Sequence, residues 1–399
     1  MVSQNIPIND QIKVVHIKAY ASLKIQGYEG EQVNVSSTHP DTLTVVKSGE
    51  AIYVTAMNSC ELAVPKGLVV HVEKALGSVR CQGIQNSFQS EKILGHLVID
   101  GAKSVSVEKI GGNCCLRNIS DSIKVQKVGG NIIAENFAQL DAEKAGGRCL
   151  LKNGKGVVQI GKIGGGFSGE RLQGLVNIEK VGGDYKSDSN QFGFTTKVGG
   201  DIDLSLLGAV ADTVIHAGGD IQLHVPKGLN DIHLVAVTEG DLQIKAAGMD
   251  ISLENEVFDR NIGNGGPLLD IKAEEGDILI TDEPQTTQEV VGDLSMYFDI
   301  EERGMHEMIH DRVQKATELA DKRIEAAQKR LDQMQSKFGV HIDGINIPSI
   351  SIPPINIPPI PPRTKKGASD EERLLILQML QEKKISVEEA ETLFRSLEK

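Results

Sequence analysis

Residues 306–310 read His306-Glu307-Met308-Ile309-His310, an H-E-x-x-H pattern. On a helix, two His at i and i+4 can bind one zinc ion while the Glu activates a water molecule. Such a centre needs a third ligand. The H-x-x-G-x-x-H extension is missing, because position 313 is Val. Glu318 and Glu325 follow on the same predicted helix and cannot fold back to the ion. Ile309 also belongs to an apolar stripe, so the favoured reading is two solvated histidines on a packing helix. A zinc hydrolase at His306, Glu307 and His310 is the outlying alternative. No catalytic residue and no cofactor is expected.

Other patterns carry less chemistry. Gly164, Gly166 and Gly169 satisfy G-x-G-x-x-G but have no strand–helix–strand unit around them to hold a dinucleotide. Asp184, Asp201, Asp220, Asp241 and Asp277 follow glycines and suggest calcium. The G-G-x-G-x-D nonapeptide of a calcium-binding β-roll is absent, however, and turn capping is the simpler role. Cys60, Cys81, Cys114, Cys115 and Cys149 lack metal-site spacing and fit packing in a reducing compartment. There is no G-x-S-x-G, no P-loop and no paired carboxylate assignable to a cleft.

The elements that would position these residues are set by a repeat. Lys74, Lys92, Lys109, Lys127, Lys144, Lys162, Lys180 and Lys197 recur at intervals of 17 or 18, and Gly pairs follow six of them, from Gly111-Gly112 to Gly199-Gly200. Looser rungs continue at Gly218-Gly219, Gly240 and Gly276; the 36-residue gap between the last two is read as two repeats with a degenerate one between. Within a unit the apolar residues alternate, which is the period of a strand. One position reads Val79, Leu97, Cys114, Ile132, Cys149, Phe167, Tyr185, Ile202, Ile221, Leu242 and Ile278, an almost wholly apolar column. No unit holds ten residues of helical periodicity. The spacing predicts a mainly β chain: a single-stranded β-solenoid of 17–18-residue coils with three faces of about six residues. Stacked coils bury together what none buries alone. Cys114 and Cys149 then lie two rungs apart, roughly 9–10 Å and too far for a disulfide.

Residues 1–75 contain six strand-like runs, VVHIKAY, ASLKIQG, QVNVSS, TLTVV, AIYVTA and ELAVP, without the repeat. They are expected to cap the open N-terminal end of a solenoid spanning 76–298. From 299 to 339 the pattern changes. Ile309, Val313, Ala316, Ala320, Ile324, Ala327, Leu331, Met334 and Phe338 form a stripe on a long amphipathic helix. That stripe could pack on the solenoid, pair with another copy or lie on a membrane surface through 305–338. Residues 340–367 are Pro-rich, with seven of the 13 prolines between Ile347 and Pro362, and read as a semi-rigid linker. Residues 368–399 hold two capping boxes, Ser369-x-x-Glu372 and Ser386-x-x-Glu389, each opening an amphipathic helix. Leu374, Leu377, Leu380, Ile385, Leu393, Phe394 and Leu397 are candidate interaction residues of this hairpin, which is too small to fold alone and must dock on a second copy or a protein partner.

Composition excludes several classes. The 399 residues carry 42 Gly, no Trp and a formal charge of −13. An acidic body with 4% aromatic residues argues against nucleic-acid binding. No apolar run reaches the ~18 residues a spanning helix needs. The start, MVSQNIPIND, has neither a basic region nor an apolar core, so it does not read as a secretory signal. The expected location is cytoplasmic, with the inner face of the membrane as the alternative.

The segments LKIQGYEGEQVNV and CELAVPKGLVVHVEKALGSV, followed by serial K-V-G-G-D-I units, resemble the bacterial putative-adhesin β-solenoid domains of unknown function. The ending SDEERLLILQMLQEKKISVEEAETLFRSLEK resembles the SHOCT-like C-terminal hairpin that accompanies them. Together these cover about 15–282 and 368–399. The resemblance implies a non-enzymatic scaffold whose tail supports oligomerisation or partner docking. Some relatives are linked to cell-envelope stress, which makes a membrane-associated sensor using 305–338 the alternative function. It carries over no catalytic residues.

Overall fold

The computed structural model describes residues 2–298, apart from 10, 38–41, 191–192, 208–210, 230, 256 and 284–289. The chain divides into two compact units, Met1–Arg303 and Gly304–Lys399. The predicted long helix (299–339), linker (340–367) and hairpin (368–399) lie outside the described residues, and so do His306, His310 and the seven apolar hairpin positions.

The alternating pattern builds two stacks of parallel strands. In the first, Lys74, Lys92, Lys109, Lys127, Lys144, Lys162, Lys180 and Lys197 occupy the same place on successive strands. In the second, Val79, Leu97, Cys114, Ile132, Cys149, Phe167, Tyr185, Ile202 and Ile221 pair in one register. The predicted apolar column is therefore an interior ladder, and none of these nine is more than 2% exposed. Winding strand by strand through both stacks makes a β-solenoid whose core runs unbroken from Ile12 to Ile280. Cys114 and Cys149 face inward with Ile132 between them, and all five cysteines are buried and form no disulfide.

Two of the three expected faces are strand stacks. The third is a narrow bend. Leu97–Ile110, Cys114–Val128 and Ile132–Ala145 each cross it as one continuous strand. Ala102, Ile119, Phe137 and Gly154 stack there in register. Beside them the chain adopts left-handed backbone at Gly83, Gly101, Asn118, Asn136, Asn153 and Arg171. Asn tolerates this conformation better than most residues. The Asn side chains also tie successive bends: Asn136 Nδ2 donates to Asn118 Oδ1 at 3.2 Å, and Asn153 Nδ2 to Asn136 Oδ1 at 3.0 Å.

The ends differ from the sequence reading. All six N-terminal runs are strands, but four of them are rungs. Val14–Ala19 lies parallel between Ala51–Ala56 and Val69–Ala75, and Leu23–Tyr28 between Cys60–Pro65 and Val79–Gln82. The first coil in sequence is thus second in space. Antiparallel strands Leu43–Ser48 and Gln32–Ser37 close this end, and Val2–Pro7 pairs outside the latter.

The other end repeats the device in reverse. Leu268–Ala273 inserts between Thr213–Ala217 and Ile232–Val237, and Ile278–Thr281 between Ile221–His224 and Asp241–Lys245. Antiparallel Val257–Ile262 and Ile251–Glu254 lie outermost. The 36 residues from Gly240 to Gly276 therefore hold no degenerate coil. They leave the stack, reverse direction as end strands and return one rung inward. Reversal pairs the backbone of the last parallel rung, which would otherwise stand open.

Candidate functional site

A second apolar cluster lies outside the solenoid wall. Val98, Cys115 and Ile133 occupy outward places on consecutive strands, with Leu150 next in line. Leu294 and Phe298 cover them, and Val291 and Tyr297 pack alongside. The segment 290–298 thus returns across the wall as a strap. A single 3-10 turn, Ser295–Tyr297, shapes it. Asp293 starts this turn by accepting from the Ser295 N–H and hydroxyl, both at 2.8 Å.

Polar groups fasten the strap at both ends. Lys152 Nζ donates to the Gly292 carbonyl at 2.8 Å and pairs with Glu170 at 3.2 Å. Glu170 also accepts from the Val291 N–H at 3.2 Å and from Arg171 at 2.7 Å. Burial alone would raise the Glu170 pKa, but the Val291 N–H, Lys152 and Arg171 together hold it below the ordinary value. At the far end Arg80 donates to the Phe298 carbonyl. The Arg117 guanidinium sits 4.6 Å from the Phe298 ring centre and pairs with Asp100 at 2.6 Å.

The sequence reading did not find the strap, although a signal was present. Strict alternation would place a polar residue second in each of these strands. LVI, CCL, IIA and CLL instead start four successive rungs with adjacent apolar residues. A doubled apolar position repeated at the coil period means that both sides of that wall are covered.

The other singled-out residues have structural places. Gly164 belongs to the corner. Gly169 lies within Phe167–Glu170, where a Cβ would meet Leu172 and the Phe167 ring. The glycines form no phosphate loop. The aspartates form a capping ladder. Asp184, Asp201, Asp220 and Asp277 each accept the N–H of the next rung's Asp, ending at Asp241, at 2.9–3.3 Å. Among the described residues no group of three or more His, Cys, Asp or Glu is arranged to hold a metal ion.

A histidine pair marks the N-terminal rungs. His16 and His71 are opposite in register, with Nδ1 atoms 2.8 Å apart. Tyr53 stacks on His16 with ring centres 5.0 Å apart. Glu73 pairs with Lys18 beside them, and His71 Nε2 lies 3.8 Å from Glu91. Burial, then the proximity of His71, lowers the His16 pKa below 6.5, against a smaller opposing pull from Glu73. A His with a lowered folded pKa holds fewer protons folded than unfolded. The stability it supports is complete above the unfolded value and is lost as pH falls below it. The urea midpoint of the wild type is expected to drop between pH 7.5 and 5.5. His16→Gln, which cannot titrate, should flatten that slope; an equal slope in both would remove the pair as its source.

Residues 371–399 match the SHOCT-like domain. No curated protein matches the chain. Among solved structures, a putative cell adhesion protein from Clostridium sporogenes aligns at 9% identity and a TM-score of 0.16, over 70% of this chain and 98% of the other. A putative adhesin from Bacteroides fragilis aligns at 10% identity and a TM-score of 0.17, over 70% and 96%.

Proposed function

We propose that the chain is a non-catalytic interaction scaffold: a stiff β-solenoid that carries a C-terminal docking module. The SHOCT-like match at 371–399 is the observation that carries this reading. The described body agrees with it, because its conspicuous residues serve the stack: inward cysteines pack, aspartates cap the next rung and glycines let corners approach. Leu374, Leu377, Leu380, Ile385, Leu393, Phe394 and Leu397 supply the contact side of the module, toward a second copy or a protein partner. Contacts too weak to hold singly gain avidity when several chains are brought together. Deleting residues 364–399 should lower the mass measured by light scattering of the purified chain. An unchanged mass would overturn the self-association form of the proposal.

A further inference from the structure

Charge is segregated along the chain in a way the net value conceals. Residues 101–200 hold 14 basic and nine acidic side chains, a balance of +5, while residues 201–300 hold four and 20, a balance of −16. Both signs of charge line the Gly-Gly corner between the two stacks.

On one side of that corner Lys92, Lys109, Lys127, Lys144 and Lys162 stand in register on five consecutive strands, all exposed. At about 4.8 Å per rung they form a row of roughly 19 Å. Like charges placed directly opposite one another cost stability. Three exposed carboxylates, Glu91, Glu108 and Glu143, stand on the far side of the row against its five lysines. Lys127 pairs with Glu143 at 3.5 Å, and the other four lysines make no ion pair among the described residues.

On the other side stand His96, Asn113, Asn131 and Arg148. The acceptors of the first three each take a backbone N–H of the next rung. The Asn113 N–H donates to His96 Nδ1 at 2.9 Å, the Asn131 N–H to Asn113 Oδ1 at 3.0 Å and the Arg148 N–H to Asn131 Oδ1 at 2.8 Å. Accepting at Nδ1 leaves neutral His96 with its proton on Nε2. Asn113 is buried at 8% exposure, and the accessible amide and guanidinium donors of this flank are those of half-buried Asn131 and exposed Arg148. From Gly111 onward the ridge between the flanks is glycine, and at Gly129 a Cβ would run into the Gly111 carbonyl oxygen; on the first rung the same place is held by Leu94, which is 45% exposed. Farther on, the same flank becomes Asp184 and Asp201, and its character reverses.

We propose that the corner from Lys92 to Lys162 binds a linear polymer of phosphate groups. Tetrahedral oxyanions lying along the ridge present oxygens to both flanks, so they can take lysine ammonium groups along one side and the Asn131 amide and Arg148 guanidinium on the other. The ridge has no aromatic side chain to stack a base, which separates this ligand from single-stranded nucleic acid.

The test titrates long-chain inorganic polyphosphate into the full chain. Saturable binding is expected, with an affinity that falls linearly in log salt as lysines displace counterions. Lys109→Gln/Lys127→Gln/Lys144→Gln should weaken it at least about tenfold at low salt. Lys180→Gln/Lys197→Gln removes two lysines of the same row that stand beside Asp184 and Asp201, and should change affinity less than about twofold. Circular dichroism checks that both variants fold. No saturable binding, an equal loss in the two variants, or tighter binding of single-stranded DNA than of polyphosphate would each overturn the assignment.

Discussion

Phe137→Ala is expected to lower stability by about 3–5 kcal/mol, read as a drop in the urea midpoint followed by circular dichroism. Phe137 is 2% exposed and sits at the narrow third side, stacked between Ile119 and Gly154. Its ring occupies the space in which a Cβ on Gly154 would lie. The ring thus fills the gap that the glycine leaves. Truncation opens a void that fixed rungs on either side cannot close. Gly154→Ala alone should also destabilise, since the new methyl overlaps the Phe137 ring. Combining it with Phe137→Leu should cost less than the two changes added, because the shorter side chain yields to the methyl. Strict additivity would show that the two positions do not share one space. In a stacked coil the loss should appear first as opening of the neighbouring rungs, so amide exchange at Ile119 and Leu151 should rise before the whole chain unfolds.

The coil was legible because its constraints repeat. Every rung needs an inward residue at the place of Leu97 or Ile132, and from Gly111 to Gly218 the place of Gly129 is held by glycine, so the same letters return at nearly the same interval. The ends were not legible for the same reason. Val14–Ala19 obeys the alternation of any rung, and nothing local says that its neighbours are Ala51–Ala56 and Val69–Ala75 rather than the strands that follow it directly. Order in space depends on long connections closing over one another, and alternation carries no record of that. The strap falls between these cases. Its contacts with Arg80 and Lys152 join residues more than a hundred positions apart, but the doubled apolar pairs at Val98, Cys115 and Ile133 declared that something covers the wall.

The corner illustrates a further limit of composition. A formal charge of −13 describes no surface of this molecule. The lysine row and the aspartate ladder both follow the coil period, so each is a straight line of like charge. Such a line concentrates potential in a way that scattered residues do not. Attraction of a phosphate polymer to the corner is compatible with an acidic chain because the Debye length, ~8 Å at physiological salt, is shorter than the row itself.

Lys152→Met should release the strap. Lys152 and Glu170 are 8% and 6% exposed, and removing one partner of a buried pair typically costs about 3–5 kcal/mol because the other charge is stranded. Methionine keeps most of the stem's volume, so the loss reports the ammonium group and its two bonds, to Glu170 and to the Gly292 carbonyl. Arg171 still reaches Glu170, but from an arm that is largely exposed. The direct readout is Cys115, a thiol under Leu294 and Phe298. Its alkylation by a small maleimide should be slow in the wild type and at least about tenfold faster in the variant if ~1.4 kcal/mol or more of strap stability is lost. Lys152→Met/Glu170→Gln should recover part of the protection, because no charge is then left buried. The pH dependence has a fixed sign. Glu170 has a folded pKa below the ordinary 4.5, so the pair's contribution is present above that value and is lost as pH falls through the lower folded one. Acid should therefore free Cys115 in the wild type and change little in the double variant. If Cys115 stays protected in Lys152→Met at neutral pH, Leu294 and Phe298, with Arg80 and Arg117 at the far end, hold the strap without Lys152, and the buried pair sets only where its chain crosses the wall.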